Sequence, residues 1–252
     1  MLNRVAVLCS HRAPGLLYLL NQSADRGATY EIVCVISSEA TFAEENRVER
    51  RGIPTLPHPI REFDGERSAY DADTVRMLGR FMPDLILMDG YVHLVTEPML
   101  AAFPSRILNL HFSDLTLRKP DGGPLFPGLR AVRDAIAAGC LETRATVHLA
   151  NEEADAGPPI VRSWAFPVSP LAEAMRTREA DNVFKAYVFA HQEWMLRTVS
   201  GPLMAAALRL IATRAIDLET LAGIGARGRE PWQLDHQGFL TAPDVELAGA
   251  MR

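Results

Sequence analysis

An amide and an imidazole stand two positions apart in the apolar segment ILNLH at positions 107–111. Alternate residues of a strand point to the same side of a sheet, about 6–7 Å apart at the usual rise per residue. In an extended segment, Asn109 and His111 therefore share one face, and Leu108 and Leu110 share the other. An amide donates hydrogen bonds to a developing oxyanion, and an imidazole changes charge near neutral pH. The pair predicts a site where an oxyanion forms and a proton moves.

The segments around this pair predict the scaffold that must position it. Strands that are apolar throughout alternate with helical segments, which indicates a parallel sheet covered on both faces. We therefore predict an α/β fold with a doubly wound, mostly parallel sheet, in which ligands bind at the carboxyl ends of the strands. The predicted strands cover residues 4–10, 30–37, 84–90, 106–112, 143–150 and 160–168. The predicted helices cover residues 16–27, 41–52, 66–83, 96–104, 130–139 and roughly 170–213.

The second half of the chain predicts an extension of this sheet. The strand at 160–168 follows the strand at 143–150 after a short acidic turn, so we expect the two strands to be antiparallel. Long C-terminal helices follow. No internal repeat or linker-like stretch interrupts the chain, which favours a single domain over 1–252. We predict a core at 1–213 and an irregular C-terminal extension at 214–252.

Several motifs occur in a fixed order along the chain. They are FDGERSAYD at 63–71, DLILMDGY at 84–91, NLH at 109–111, FPGL at 126–129 and VHLANEEADAGPPI at 147–160. As an ordered set, these motifs resemble the folate-dependent formyltransferases. The resemblance extends from the first strand to about residue 200. It implies a formyltransferase-like Rossmann fold.

The resemblance places Asn109, His111 and Asp155 on the three catalytic positions of the family. It implies transfer of a formyl group from N10-formyltetrahydrofolate to an amine. Asn109 would donate to the oxyanion of a tetrahedral intermediate, and a protonated His111 would stabilise it or carry the proton to the leaving nitrogen. Asp155 is expected to orient His111, raise its pKa and hold a water molecule. His148 lies inside a strand, and we expect it to be structural rather than catalytic.

Two further segments are implied to bind the folate, largely through backbone groups. One follows the strand at 84–90, and the other follows the strand at 143–150. The implied residues are Tyr91, Val92, His93, Leu94, Val95, Ala150, Asn151, Glu152 and Glu153. The family usually has an arginine where this chain has His93, so contacts with the glutamate tail of the folate are expected to be weaker.

The turn after the first strand departs from the family. Members that act on glycinamide ribonucleotide have Gly-x-Gly-Ser-Asn here, which holds a phosphate at a helix N-terminus, whereas this chain has SHRAPG at 10–15. Proline has no N–H to donate, although Arg12 could pair with a phosphate or a carboxylate. We therefore predict a small-molecule amine as acceptor without naming it. The implied acceptor-binding residues are Ser10, His11, Arg12, Gly15 and Glu193.

Composition argues against several other classes of function. A formal net charge of −5 and a pI near 5.8 argue against binding to nucleic acid or to an anionic membrane. No segment approaches the roughly 20 apolar residues that span a bilayer. The three cysteines form no CxxC motif, and the seven histidines show no metal-ligand spacing. These features predict a reduced, cytoplasmic protein without a metal, and they leave a homodimer open.

Three alternative functions stay open at this point. A formyltetrahydrofolate hydrolase uses water as acceptor, but such enzymes usually carry an extra N-terminal domain, and this chain begins at its first strand. An amino-sugar-nucleotide N-formyltransferase would apply the same chemistry to another amine. A non-catalytic folate-binding protein would explain the altered turn at 10–15, although the intact catalytic positions argue against it.

Overall fold

The computed structural model describes residues 2–177, 181–226 and 230–243, and its centre is a nine-stranded sheet. The strands are β1 (Asn3–Cys9), β2 (Tyr30–Ser37), β3 (Thr55–Pro57), β4 (Leu85–Met88), β5 (Ile107–His111), β6 (Glu142–Thr143), β7 (Thr146–Leu149), β8 (Pro159–Arg162), β9 (Phe166–Pro167), β10 (Trp232–Leu234) and β11 (Leu240–Thr241). The order in the large sheet is β11-β10-β8-β7-β5-β4-β1-β2-β3, and β6 pairs with β9 in a separate two-stranded sheet.

Helices cover both faces of the large sheet. They are α1 (Leu16–Ser23), α2 (Glu45–Glu49), α3 (Arg67–Leu78), α4 (Glu97–Ala102), α5 (Ala131–Ala137), α6 (Leu171–Thr177), α7 (Asp181–Ala212) and α8 (Leu218–Ile224), with a 3₁₀ turn at Ile60–Phe63. The residues of β1 alternate between two apolar clusters. Val5 and Val7 belong to the cluster that contains residues of α1 and α7, whereas Ala6 and Leu8 belong to the one with residues of α3 and α4. The predicted doubly wound fold is confirmed.

Strand directions follow the prediction, although the later strands are shorter than predicted. β1 is parallel to β2 and β4, and β4 is parallel to β5. β7 is antiparallel to both β5 and β8, which confirms the antiparallel extension. The predicted strand at 143–150 divides into β6 and β7, and the one at 160–168 divides into β8 and β9. At this break the hydroxyl of Ser163 accepts the N–H of Ala145 at 2.9 Å, so a side chain replaces a ladder bond.

Two helices are also shorter than predicted. The segment at 41–52 holds only the five-residue α2, since Val48 is the one residue of that helix buried in the core. The helix predicted at 66–83 ends at Leu78, and Gly79 closes it. Neither change moves a residue of the site.

The prediction of an irregular extension after residue 213 is wrong for its described part. Helix α8 follows, β10 adds to the sheet in parallel with β8, and β11 pairs antiparallel with β10. The carboxylate of Asp217 caps α8 by accepting the N–H of Thr220 at 2.7 Å. Leu218, Leu221 and Leu234 are buried in the main core. Residues 244–252 of the predicted extension lie outside the described residues.

Helix α7 is long and apolar enough, by length and composition, to cross a membrane, but 56% of its most apolar window is buried against the rest of the chain. A core helix of a soluble protein has the same properties. Gly201 in α7 packs so closely against α1 that a Cβ atom there would overlap the side chain of Tyr18. A Cβ atom on Gly15 would in turn overlap the side chain of Met204. These two glycines bring the start of α1 against α7.

Candidate active site

Strand β5 presents the predicted pair as its last polar residues. Asn109 is half-buried and His111 is 8% exposed, and both lie on the same face of the strand by alternation. Leu108 and Leu110 belong to the apolar core on the opposite face. The pair therefore lies at the carboxyl end of a central strand, as the sequence predicts.

Asp155 reaches this pair from the connection between β7 and β8. That connection begins beside Ile107, whose carbonyl accepts the N–H of Ala150 at 2.8 Å, and it returns over the face of β5. The Oδ1 atom of Asp155 lies 3.3 Å from Asn109 Nδ2 and 3.3 Å from His111 Nδ1. Asp155 has a φ of 55°, a left-handed conformation that non-glycine residues rarely adopt. The structure thus brings the three predicted catalytic residues into contact.

His148 is a fourth member of this cluster. Its Nε2 atom lies 3.1 Å from Asn109 Nδ2 and 3.6 Å from Asp155 Oδ1. Its Nδ1 atom donates to the carbonyl of Leu149 at 2.8 Å, which leaves Nε2 as the acceptor in the neutral ring. The sequence predicts a structural role for His148, because the cross-strand register that pairs it with Asn109 is not visible in one segment alone. The His-x-x-x-x-x-x-Asp spacing to Asp155 was the one available signal.

The pKa of Asp155 is strongly lowered. Burial alone would raise it, but the imidazole of His148 at 3.6 Å, the charge of protonated His111 and the N–H of Gly128 together bring it to about 2. The carboxylate is therefore ionised at any physiological pH. It is a fixed negative charge between two imidazoles.

The pKa of His111 differs from the expectation. Burial lowers it, and this effect outweighs the charge of Asp155 and the carbonyl of Phe126, both of which raise it. The prediction that Asp155 raises the pKa of His111 is correct for that one interaction and wrong for the net direction. We therefore expect His111 to be mostly neutral at pH 7.

The loop between β5 and α5 closes over the cluster through two backbone groups. The carbonyl of Phe126 accepts from His111 Nε2 at 3.0 Å, and the N–H of Gly128 donates to Asp155 Oδ2 at 2.7 Å. Gly128 has a φ of 77°, which only glycine adopts easily. The FPGL motif thus holds both the imidazole and the carboxylate.

The two segments implied to bind folate lie on the same face of the sheet. Ala150 packs against the apolar cluster that contains Tyr91 and Val95. Val92 and Leu94 lie between Tyr91 and Val95 in the sequence, and their side chains are 41% and 57% exposed. Residues 151–153 are exposed, and the N–H of Glu153 donates to Asn151 Oδ1 at 3.2 Å.

Polar groups with free hydrogen-bonding capacity accompany the first of these segments. Arg67 donates from Nη2 to the carbonyl of Leu94, while its Nη1 atom is buried without a partner among the described residues. The Nε2 atom of His93 is likewise buried and unpaired within the described part of the chain. Exposed apolar side chains beside unpaired donors fit a ligand with a flat ring and anionic or carbonyl groups. A folate has these features.

The predicted acceptor-binding residues have different surroundings from one another. Ser10 is fully buried, and its hydroxyl contacts Ser38 Oγ at 2.7 Å and accepts from Val92 N at 3.3 Å, so it supports the segment at 91–95. His11 is exposed and lies 3.9 Å from Glu39. Gly15 packs against α7.

Arg12 and Glu193 form an ion pair, although 181 positions separate them. Two guanidinium nitrogens meet two carboxylate oxygens, at 2.6 and 3.3 Å. The hydrogen bond raises the pKa of Arg12 and lowers the pKa of Glu193. Arg12 and Glu193, which the sequence predicts to bind the acceptor, therefore bind each other in this structure.

A doubly wound sheet thus gathers an amide, two imidazoles and a carboxylate over a central strand end, an arrangement suited to group transfer. The chain belongs to the formyl transferase family, whose family model matches residues 3–190. This confirms the resemblance found in the sequence.

Relatives with known names support the same family. The chain is 30% identical over 185 residues to phosphoribosylglycinamide formyltransferase of Haemophilus influenzae. The aligned region covers 71% of this chain and 82% of the relative. It is 29% identical over 232 residues to trifunctional purine biosynthetic protein adenosine-3 of Gallus gallus, but spans only 20% of that protein's length. The crystal structure of glycinamide ribonucleotide transformylase 1 from Symbiobacterium toebii matches with a TM-score of 0.70 and 30% identity, over 84% of this chain and 89% of that one.

Proposed function

We propose that this chain is a folate-dependent formyltransferase that uses N10-formyltetrahydrofolate as formyl donor and the amine of a small molecule as acceptor. The observation that carries the proposal is the contact of Asn109, His111 and Asp155 over the end of β5. The matched relatives named as formyltransferases support it. We expect a cytoplasmic protein, and a homodimer stays a prediction.

The chemistry needs an oxyanion to be stabilised and a proton to be moved. The bound folate supplies the formyl carbon, the amine nitrogen forms a new C–N bond to it, and the bond to N10 breaks. One proton passes from the amine to N10. The chain itself must stabilise negative charge on the formyl oxygen and hold the proton in transit.

Asn109 is placed to bind the oxyanion. Its amide nitrogen has two hydrogens, which point to His148 Nε2 at 3.1 Å and to Asp155 Oδ1 at 3.3 Å. The contact with Asp155 is the longer of the two. We expect an incoming oxyanion to replace it, while His148 keeps the amide oriented. A preorganised amide donor of this kind typically contributes a factor of about 10² to 10³ in kcat.

His111 is placed to take the proton. Its Nε2–H donates to the carbonyl of Phe126, so the basic nitrogen of the neutral ring is Nδ1, 3.3 Å from Asp155 Oδ1. A proton that arrives at Nδ1 forms an imidazolium directly beside a carboxylate. Asp155 therefore stabilises the charged form that exists only during the reaction, which is the selective stabilisation that raises a rate.

The test is formyl release from N10-formyltetrahydrofolate, followed by absorbance, without acceptor and with a panel of small amines. Amine-dependent release that disappears in His111→Ala would support the proposal. The exposed His236→Ala serves as a matched control, and it should retain full activity. Release without any amine would identify a hydrolase. Folate binding without release in any condition would contradict an enzymatic function.

A further inference from the structure

The N-terminus of α1 is closed to anions by the chain's own carboxylates. Free N–H groups at a helix start usually attract phosphates. Here the N–H of Gly15 donates to Asp89 Oδ2 at 2.9 Å, and the N–H of Ala13 donates to Glu44 Oε2 at 2.9 Å. The N–H of Leu16 donates to the carbonyl of Ala13, and Pro14 has none.

Asp89 is a fixed part of the fold rather than a mobile surface acid. It follows β4, has no exposed surface, and its N–H donates to the carbonyl of Leu8 at 2.9 Å. Burial raises the pKa of Asp89 to about 8, and the N–H of Gly15 opposes that rise. In either protonation state the Oδ2 atom continues to accept the N–H of Gly15. It occupies the place beneath the turn that a bound anion would need.

The turn packs closely against the residue that follows β4 and Asp89. Gly90 has a φ of 72°, and a Cβ atom built on it would overlap the carbonyl oxygen of Arg12. The two backbones therefore touch. This packing holds the turn in place independently of the hydrogen bonds of Asp89.

The charge around the turn is unfavourable for a phosphate as well. Arg12 is already paired through two hydrogen bonds with Glu193, and Glu193 also lies 3.3 Å from Arg197. The carboxylate of Glu44 accepts the N–H of Ala13 and places a further negative charge at the turn. A dianionic phosphate would find the N–H groups of Ala13 and Gly15 already bonded to carboxyl groups, and it would compete with Glu193 for Arg12.

We infer that the acceptor of this enzyme is an amine without a phosphate group, and that Asp89 and Glu44 determine this specificity by filling the donors at the start of α1. The inference rests on the proposed formyl transfer, since it names the class of acceptor. It also predicts a property of the turn that can be measured without turnover.

The first measurement is a calorimetric titration of the whole protein with inorganic phosphate and with ribose 5-phosphate. Substrate KM values are roughly 1 μM to 1 mM, so we expect no saturable binding up to about 10 mM. Asp89→Ala frees the N–H of Gly15 and should bind phosphate at least about tenfold more tightly than this limit. Asp89→Asn also removes the carboxyl group but keeps an acceptor oxygen. The N–H of Gly15 should therefore stay bonded, and this variant should not bind phosphate.

Glu44→Ala is a second variant that does not disturb the core, because Glu44 is only half-buried. It should gain weak phosphate binding even if Asp89→Ala fails to fold. Saturable binding of phosphate to the unaltered protein below 1 mM would overturn the inference. Failure of both folded variants to gain any binding would also overturn it, because the two carboxylates would then not be the cause.

The second measurement compares glycinamide ribonucleotide with its dephosphorylated riboside as acceptor, since the two differ only in the phosphate. We expect kcat/KM for the ribonucleotide to be no greater than for the riboside. A clear preference for the ribonucleotide would overturn the inference. If no amine is formylated, the proposed function fails, and the phosphate titration still decides whether the turn excludes anions.

Discussion

His148 stands directly opposite Asn109 in the antiparallel pair of β5 and β7, and its Nε2 atom lies 3.1 Å from the amide nitrogen of Asn109. The backbone carbonyl of Leu149 fixes the orientation of the imidazole through Nδ1. An amide that could otherwise rotate is thereby held with its nitrogen toward the cluster and Asp155. We regard His148 as a positioning residue, since its recorded contacts are with the protein's own amide and carboxylate.

Replacing His148 by alanine should lower kcat about 10- to 100-fold, because a misplaced amide no longer meets the oxyanion. KM for the formyl donor should change little, since the His148 side chain contacts Asn109, Asp155 and the carbonyl of Leu149 rather than residues 150–153 or 91–95. Steady-state kinetics with saturating donor would measure both values. His148→Gln should recover part of the loss, because a glutamine oxygen can accept from Asn109. Equal loss in both variants together with lowered stability would indicate a role in folding alone.

The rate should depend on pH through His111. A base acts in its neutral form, so kcat/KM is lost as the pH falls through the pKa of His111. Burial places that pKa below the ordinary value of 6.5, so the midpoint of the acid limb in a plot of kcat/KM against pH should lie below pH 6.5.

The variant Asp155→Asn tests whether His111 is the group that titrates in this profile. Asp155 raises the pKa of His111, so its removal should move the acid limb of the profile to still lower pH, besides lowering the maximal rate. A limb that stays in place in this variant would mean that another group titrates. A shift to higher pH would contradict the assignment.

Asp155 should also make the stability of the protein depend on pH in the acid range. Its pKa is lowered from 3.8 to about 2 in the folded protein. A group with a depressed folded pKa contributes stability that is present above the unfolded pKa and is lost as the pH falls through the folded value. The free energy of unfolding of the natural chain relative to Asp155→Asn should therefore decrease by about 2 kcal/mol between pH 5 and pH 2. Urea unfolding of both proteins at several pH values measures it, with exposed Glu62→Gln as control.

Much of the site was accessible from the sequence because its residues lie close together along the chain or belong to ordered motifs. The two-residue spacing in β5 predicts a shared face for Asn109 and His111, and the motif beginning at Val147 predicts Asp155. The pairing of His148 with Asn109 depends on the register between two strands 39 positions apart. The Arg12–Glu193 pair depends on how α7 packs beside α1.

The net direction of the pKa shift of His111 could not be predicted from the sequence either. The charge of Asp155 beside His111 could be anticipated, but the opposing effect depends on how deeply the loop at 112–129 and the sheet bury the ring.

The elements α8, β10 and β11 have two to seven residues each. Segments so short carry no readable periodicity, and only the tertiary contacts of their leucines define them.

These contacts predict that the described C-terminal elements stabilise the domain. Leu221 on α8 is 1% exposed within the main core, so Leu221→Ala should lower the free energy of unfolding by about 2 to 4 kcal/mol through lost burial and a residual cavity. Ile224 on the same helix is 59% exposed, and Ile224→Ala should cost less than about 1 kcal/mol. Chemical denaturation of both variants makes the comparison. Equal, small losses would mean that α8 does not belong to the cooperative core, whereas a single transition shifted only by the first variant would show that it does.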